Sequence, residues 1–315
     1  MTGGGKTGRV RRALATCAAV TLVGVLPGAA SAVTSRPAGD GCRGAASLAP
    51  GSTCPQPQRG PVVPKVAKAP YDRGPAYVHP CRVQDEFEDR YTCEFGDRTA
   101  KRRVALVGNS HAARWLPALD ALGRRDGFRV TTYFASGCFV TTVLRKMPEA
   151  AGCLAWASWV REDVMRKSYD LVVQSEQTAG SPADGSDPQT TFRRGYAEHL
   201  RIWVDAGANV LVIRDVPRPG INVPACVRAH PHNYAACSGS RAERVRPDPL
   251  AEAAAEFRPD QVAVADLTDY FCTAKACPGV IGTVIVYSDH SHLTATYSVS
   301  LAPYLGPHVR RALAR

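Results

Sequence analysis

From residue 102 onward, short β-prone runs and amphipathic stretches alternate at least four times, and this alternation constrains the chain more than any other feature. Residues 103–107 read as a strand. They are followed by a helix whose Ala112, Trp115, Leu116, Leu119 and Leu122 share one face. Residues 129–134, 171–174, 210–213 and 262–265 read as further strands, with a last short β run at 283–287. Helices are expected over about 153–167, along the stripe Phe192, Tyr196, His199, Leu200 and Trp203 that closes at Gly207, and over 249–257. A final helical stretch opens at Thr294, and Pro303 and Pro307 are expected to interrupt it. Strands separated by helices form a parallel sheet covered on both faces. The expected fold is therefore α/β, a three-layer α/β/α sandwich with a parallel sheet of about five strands over residues 101–315. Residues 33–100, rich in Pro, Gly and Cys, are expected to form an irregular segment packed on it. In such sheets ligands sit beyond the carboxyl ends of the strands, so the residues just after each strand matter most.

Residues 1–32 read as a signal peptide. A basic stretch through Arg12 precedes a mostly apolar run of 14 residues, 13–26, too short for the roughly 20 that span a bilayer. Ala30 and Ala32 then supply an A-x-A cleavage pattern, so cleavage is expected after Ala32, with an uncleaved anchor as the alternative. Removing the segment lowers the net charge from +11, leaving 35 basic against 28 acidic residues. A composition of 45% hydrophobic and 21% charged residues excludes a disordered or multi-span membrane chain. Setting Cys17 aside, ten cysteines remain, an even number that suits a secreted or extracytoplasmic protein. They fall in close pairs, Cys42/Cys54, Cys81/Cys93, Cys138/Cys153, Cys226/Cys237 and Cys272/Cys277, and neighbour pairing is the simplest connectivity. Closing a loop of about 15 residues this way is worth roughly 3 kcal/mol. No C-x-x-C or H-x-x-x-H spacing supports zinc, and neither a metal nor a cofactor is expected.

Two segments carry chemistry. After the first strand of the alternation comes Gly108-Asn109-Ser110-His111. A serine at a strand-to-helix turn exposes its hydroxyl at the sheet edge, and its own N–H, unused at the helix start, can face a developing oxyanion. Near the other end, Asp289 and His292 stand three apart in one loop before a helix that Thr294 can cap. A serine nucleophile needs a base, and the base needs a carboxylate to fix its tautomer. Each motif alone is ordinary turn chemistry; together they are specific.

The pair resembles the SGNH/GDSL hydrolase superfamily, in the type of domain that follows acyltransferase-3 membrane domains in bacterial O-acetyltransferases. The resemblance extends from Val107 to Trp115, through Val212-Ile213-Arg214-Asp215-Val216-Pro217, to Cys277–Gly282 and His292–Tyr297. It implies Ser110 as nucleophile, His292 as general base and Asp289 as its orienting partner. It also implies the N–H groups of Ser110 and Gly137 as oxyanion donors. Two departures stand out. Asn109 replaces the usual Asp, and Gln174-Ser175-Glu176-Gln177 lacks the Asn of a Gly-x-Asn-Asp block, leaving Ser175 or Gln177 as candidate third donors, with Ser175 preferred.

The expected function is an exported acyl-ester enzyme, an O-acetyltransferase or acetylesterase working through an acyl-enzyme on Ser110. By resemblance its substrate is a cell-envelope polysaccharide or peptidoglycan, with a membrane acyl-delivery partner. The alternative is a non-catalytic module binding an envelope polysaccharide in the same cleft. Export and the lack of a basic–aromatic patch argue against nucleic acid. His111 is read as a helix-start packing residue, His290 as an unsuitable metal ligand, and Trp115, Trp156, Trp159 and Trp203 as core.

Overall fold

The computed structural model describes residues 1–5, 41–78, 80–84 and 86–315, so all but the first five residues of the expected leader, with its cleavage point and Cys17, lie outside the described residues. The strands and helices all fall in the unit Asp40–Arg315. In chain order the central elements begin with β1 (Cys93–Gly96), β2 (Arg103–Gly108), α1 (Ser110–Asp126), β3 (Arg129–Phe134), α2 (Ala150–Lys167) and β4 (Leu171–Ser175). Then come α3 (Pro188–Asp205), β5 (Val210–Ile213) and α4 (Val223–Ala229). The short β6 (Gly239–Ser240) and α5 (Arg241–Arg244) lead to α6 (Pro249–Ala254) and β7 (Val262–Ala265). Two-residue strands β8 (Ala276–Cys277), β9 (Val280–Ile281) and β10 (Val284–Ile285) precede the long α7 (Ala295–Leu313).

Six strands form the main sheet, in the order β1-β3-β2-β4-β5-β7. The five from β2 to β7 run parallel, as the alternation requires. The sixth, β1, was not expected: it comes from the N-terminal segment and pairs antiparallel along β3, Cys93 opposite Thr132 and Gly96 opposite Arg129. The expected β run at 283–287 does not join this sheet. Its Val284 and Ile285 pair instead with Ile281 and Val280 in a short hairpin.

The period-2 alternation of each central strand feeds two cores. Val104, Leu106, Val173, Leu211 and Ile213 face the layer of α1 and α7, which includes Trp115, Leu301 and Leu305. Ala105, Val107, Val172, Val210 and Val212 face α2, α3 and α6, with Trp156, Trp203 and Leu250. Burying one such aliphatic or aromatic side chain is worth about 1.5–3 kcal/mol. Trp115, Trp156 and Trp203 are fully buried, and Trp159 packs at the edge of the second core.

The last helix corrects an expectation. It runs unbroken through Pro303 and Pro307, which lie four apart on its exposed face, while Leu301, Leu305 and Val309 pack inward. Carbonyls that lose their N–H partner to a proline there turn to water, so burial of the other face holds the helix together. All five sequence-neighbour cysteine pairs are disulfides, three of them closing loops in the sandwich and two stapling the segment before it.

Candidate active site

The chain leaves β2 to build β3 on one side and then crosses to build β4 on the other, so a crevice opens beyond the carboxyl end of β2. The three strands end level, with Gly108 opposite both Phe134 and Ser175. Gly108 has φ +139°, and a Cβ there would stand 2.1 Å from the Ser175 carbonyl oxygen, so only glycine lets the strands close up at this point. Asn109 then caps α1: its Oδ1 accepts the His111 N–H at 2.9 Å and the Gln177 N–H at 3.4 Å. Ser110 is thereby fixed as the first helical residue, with its own N–H donating to no described residue.

The second half of the site is a closed loop before α7. Ser288 N–H donates to the His292 carbonyl at 2.8 Å, and Tyr287 pairs with Leu293. Inside it, Asp289 Oδ1 accepts the N–H groups of Ser291 and His292 at 2.8 and 2.9 Å. That leaves Oδ2 to meet His292 Nδ1 at 2.8 Å, while His292 Nε2 stands 2.9 Å from Ser110 Oγ. A neutral imidazole protonated on Nδ1 satisfies both contacts. The Thr294 hydroxyl accepts the Tyr297 N–H, fixing where the loop ends and α7 begins.

Burial alone would raise the Asp289 carboxyl, but the bonds from the His292 ring and backbone and from Ser291 hold it far below the usual carboxylate range. The His292 imidazole is pushed down, chiefly by burial and further by His111 and Arg114, against the opposing pull of Asp289. These two shifts give a base that is neutral near pH 7 and stabilised by a carboxylate once protonated.

Gly137 lies in the loop after β3 with φ +69° and open space where a Cβ would be, and its N–H donates to no described residue. Ser175 is fully buried at the end of β4, and its hydroxyl has no hydrogen-bond partner among the described residues.

Several residues near the site escaped sequence reasoning. His111 is buried as expected, but it does more than pack: its Nδ1 lies 2.6 Å from Asp215 Oδ1, and its ring meets that of His292 at 5.1 Å. Asp215, at the carboxyl end of β5, also accepts the N–H groups of Val216 and Thr178. Its position after a strand, inside the Val212–Pro217 segment that carries the resemblance, was the available signal. Glu176, 2% exposed, accepts the N–H groups of Asn109 and Val140. The N-terminal segment reaches the site as well. The guanidinium groups of Arg82 and Arg114 each lie over the Tyr77 ring, 4.5 Å from its centre, and Arg82 donates to Ser136 Oγ at 2.6 Å. Asp72 caps α7 by accepting the N–H groups of Ala295 and Thr296.

A doubly covered parallel sheet, with a serine after a central strand and an Asp-x-x-His loop before the last helix, defines a class of α/β folds. The chain matches the family of SGNH domains fused to AT3 domains over residues 80–307, and it belongs to that family. The fold is shared with the periplasmic domain of a lipopolysaccharide acetyltransferase from Salmonella ser. Paratyphi A. The TM-score is 0.55 at 14% identity, covering 68% of this chain and 85% of that one. Weaker likenesses are a protein described as an acylhydrolase from Bacteroides fragilis and a carbohydrate acetylesterase family member from Sinorhizobium meliloti. Their TM-scores are 0.43 and 0.41, each at 15% identity, covering 70% and 68% of this chain and 91% and 100% of theirs. No curated protein sequence matches the chain.

Proposed function

We propose that the protein is an exported serine-dependent acyl-ester enzyme acting on O-acylated cell-envelope glycans. The observation that carries this reading is the hydrogen-bonded run Ser110 Oγ, His292, Asp289. Ser110 Oγ attacks the ester carbonyl as His292 Nε2 takes its proton. Asp289 stabilises the resulting imidazolium, and the N–H groups of Ser110 and Gly137 face the oxyanion. Collapse breaks the bond to the alcohol, which departs with the proton from His292, while the acyl group stays on Ser110 Oγ. An incoming hydroxyl then gives its proton to His292 and takes the acyl group. Export is supported by residues 1–32 and by five disulfides, which suit an oxidising compartment.

Water and a sugar hydroxyl are the two acceptors, and family likeness to domains fused to AT3 domains favours transfer to sugar. Such transfer needs a positioned acceptor, since water competes at about 55 M and positioning reaches effective molarities of about 10⁵ M. The absence of the Gly-x-Asn-Asp asparagine after β4 is the observation behind the alternative, a glycan-binding module without turnover.

The decisive experiment is labelling with a fluorophosphonate probe. The parent protein should label and Ser110→Ala should not. Failure of the parent to label, with glycan binding intact, would carry the binding-module reading instead. Product analysis with an acetyl donor and glycan fragments then separates acetylated glycan from free acetate.

A further inference from the structure

Glu176 has no part in the reaction written above, yet it is the carboxyl group most deeply placed beside it. It directly follows β4, where the family resemblance leads one to expect a donor to the oxyanion and the chain offers an acceptor instead. Its two oxygens are divided between two loops. Oε2 takes the N–H of Asn109, the residue before Ser110, at 3.2 Å. Oε1 takes the N–H of Val140, three residues beyond Gly137, at 2.9 Å. Gln174, two residues back and on the same face of the strand, donates from Nε2 to the Val140 carbonyl at 3.0 Å. The end of β4 thus grips Val140 by both of its backbone groups while holding the nucleophile turn with the same carboxyl.

We propose that Glu176 is a positioning residue whose carboxylate ties the turn carrying Ser110 to the loop carrying Gly137, and so sets the spacing of the two backbone donors that face the oxyanion. The proposal rests on the reading of Ser110 as nucleophile. Only the ionised group accepts an N–H on each oxygen without conflict, because a protonated carboxyl presents a donor to one of them. Burial raises the Glu176 carboxyl to about 8, opposed by the Val140, Gln174 and Asn109 bonds and by Arg145. The surrounding charged and titratable groups are Arg145 from the loop after β3, Tyr196 from α3, and, past Thr178, the Asp215–His111 pair. Below pH 8 the clamp loosens as the carboxyl takes up a proton; above it the clamp is whole.

The test compares the intact protein with Glu176→Gln, which resembles the protonated form, and Glu176→Asp, which is too short to span both loops. The readouts are the pH dependence of fluorophosphonate labelling and amide hydrogen exchange. Labelling of the parent should rise twice with pH, first as His292 loses its proton and again near pH 8. The Gln variant should keep only the first rise and label about 10- to 100-fold more slowly, less than the full loss of one oxyanion donor. Exchange at Asn109 and Val140 should quicken in both variants while the sheet stays protected. A buried Glu176 holds its proton to higher pH than an unfolded one. Folding stability therefore falls as pH rises between about 4.5 and about 8, a slope that the Gln variant should lose.

A Gln variant with the parent's rate and both rises overturns the proposal. So does slow labelling in which the whole sheet loses protection, since that marks a structural role. Should Glu176→Gln not fold, the Asp variant decides by the same two readouts. If the parent fails to label at any pH, the nucleophile reading falls. Exchange at the two amides still judges the clamp, which unchanged exchange would refute.

Discussion

The molecule contains the same side-chain pair twice, side by side, under different burial. His292 and Asp289 lie 23% and 30% exposed; His111 and Asp215 are both 2% exposed. Their imidazole rings are 5.1 Å apart. The half-open pair has its second ring nitrogen on Ser110 Oγ, whereas His111 Nε2 is buried with no hydrogen-bond partner among the described residues. Proton transfer needs a partner that can give and receive, and only the pair facing the crevice has one. The comparison teaches that a histidine and a carboxylate in contact do not by themselves make a site. What differs is the group met by each ring's far nitrogen: Ser110 Oγ for His292, and nothing among the described residues for His111.

Four measurements would break or sharpen that contrast. The largest effect is expected from Ser110→Ala or His292→Ala, each lowering turnover of a small acetyl ester by about 10⁴-fold or more with little change in melting temperature. Asp289→Asn should come next, with a loss of about 10²- to 10⁴-fold, because the imidazole loses both its tautomer control and its counter-charge. Asp215→Ala should act the other way round. It leaves buried donors unpaired, so chemical denaturation should show about 1–3 kcal/mol of lost stability, with a smaller loss of activity than Asp289→Asn. An Asp215 variant as inactive as Asp289→Asn, yet as stable as the parent, would abolish the distinction. The smallest effect is in pH dependence. With its pKa pushed below 6.5, His292 sheds its proton early, so the first rise in activity with pH should be centred below that value. The sign for stability is the same: the unfolded imidazole binds more protons in that window, so stability rises with pH there.

The legible parts of this chain were those set by local pattern. Strand runs such as 129–134, the stripe on α3 and the spacing of Asp289 to His292 all depend on neighbouring residues. The parts that escaped depended on partners far along the chain. Cys93–Gly96 holds a glutamate, a glycine and no β-branched residue, and it becomes a strand because β3 lies alongside. Pro303 and Pro307 read as breaks because their tolerance comes from the inward face of α7 packing on α1. Asp215 and Glu176 were ordinary acids until β4 was set beside β2 and β5 beside β4. Short-range pattern pointed to Ser110, His292 and Asp289 as candidates; the long-range fold brings the three side chains together.

The hydrogen bond between Ser110 and His292 joins positions 182 residues apart, and α1 packs against α7. This separation governs timing. A chain that has folded β2 and the turn after it, but not yet the loop before α7, carries a Ser110 hydroxyl with no imidazole beside it. Closing so distant a contact is slow compared with forming local helices, so on the proposed reading Ser110 meets its base late in folding. A fragment cut ahead of residue 292 lacks the proposed base, so on the proposed reading it should not turn over an ester.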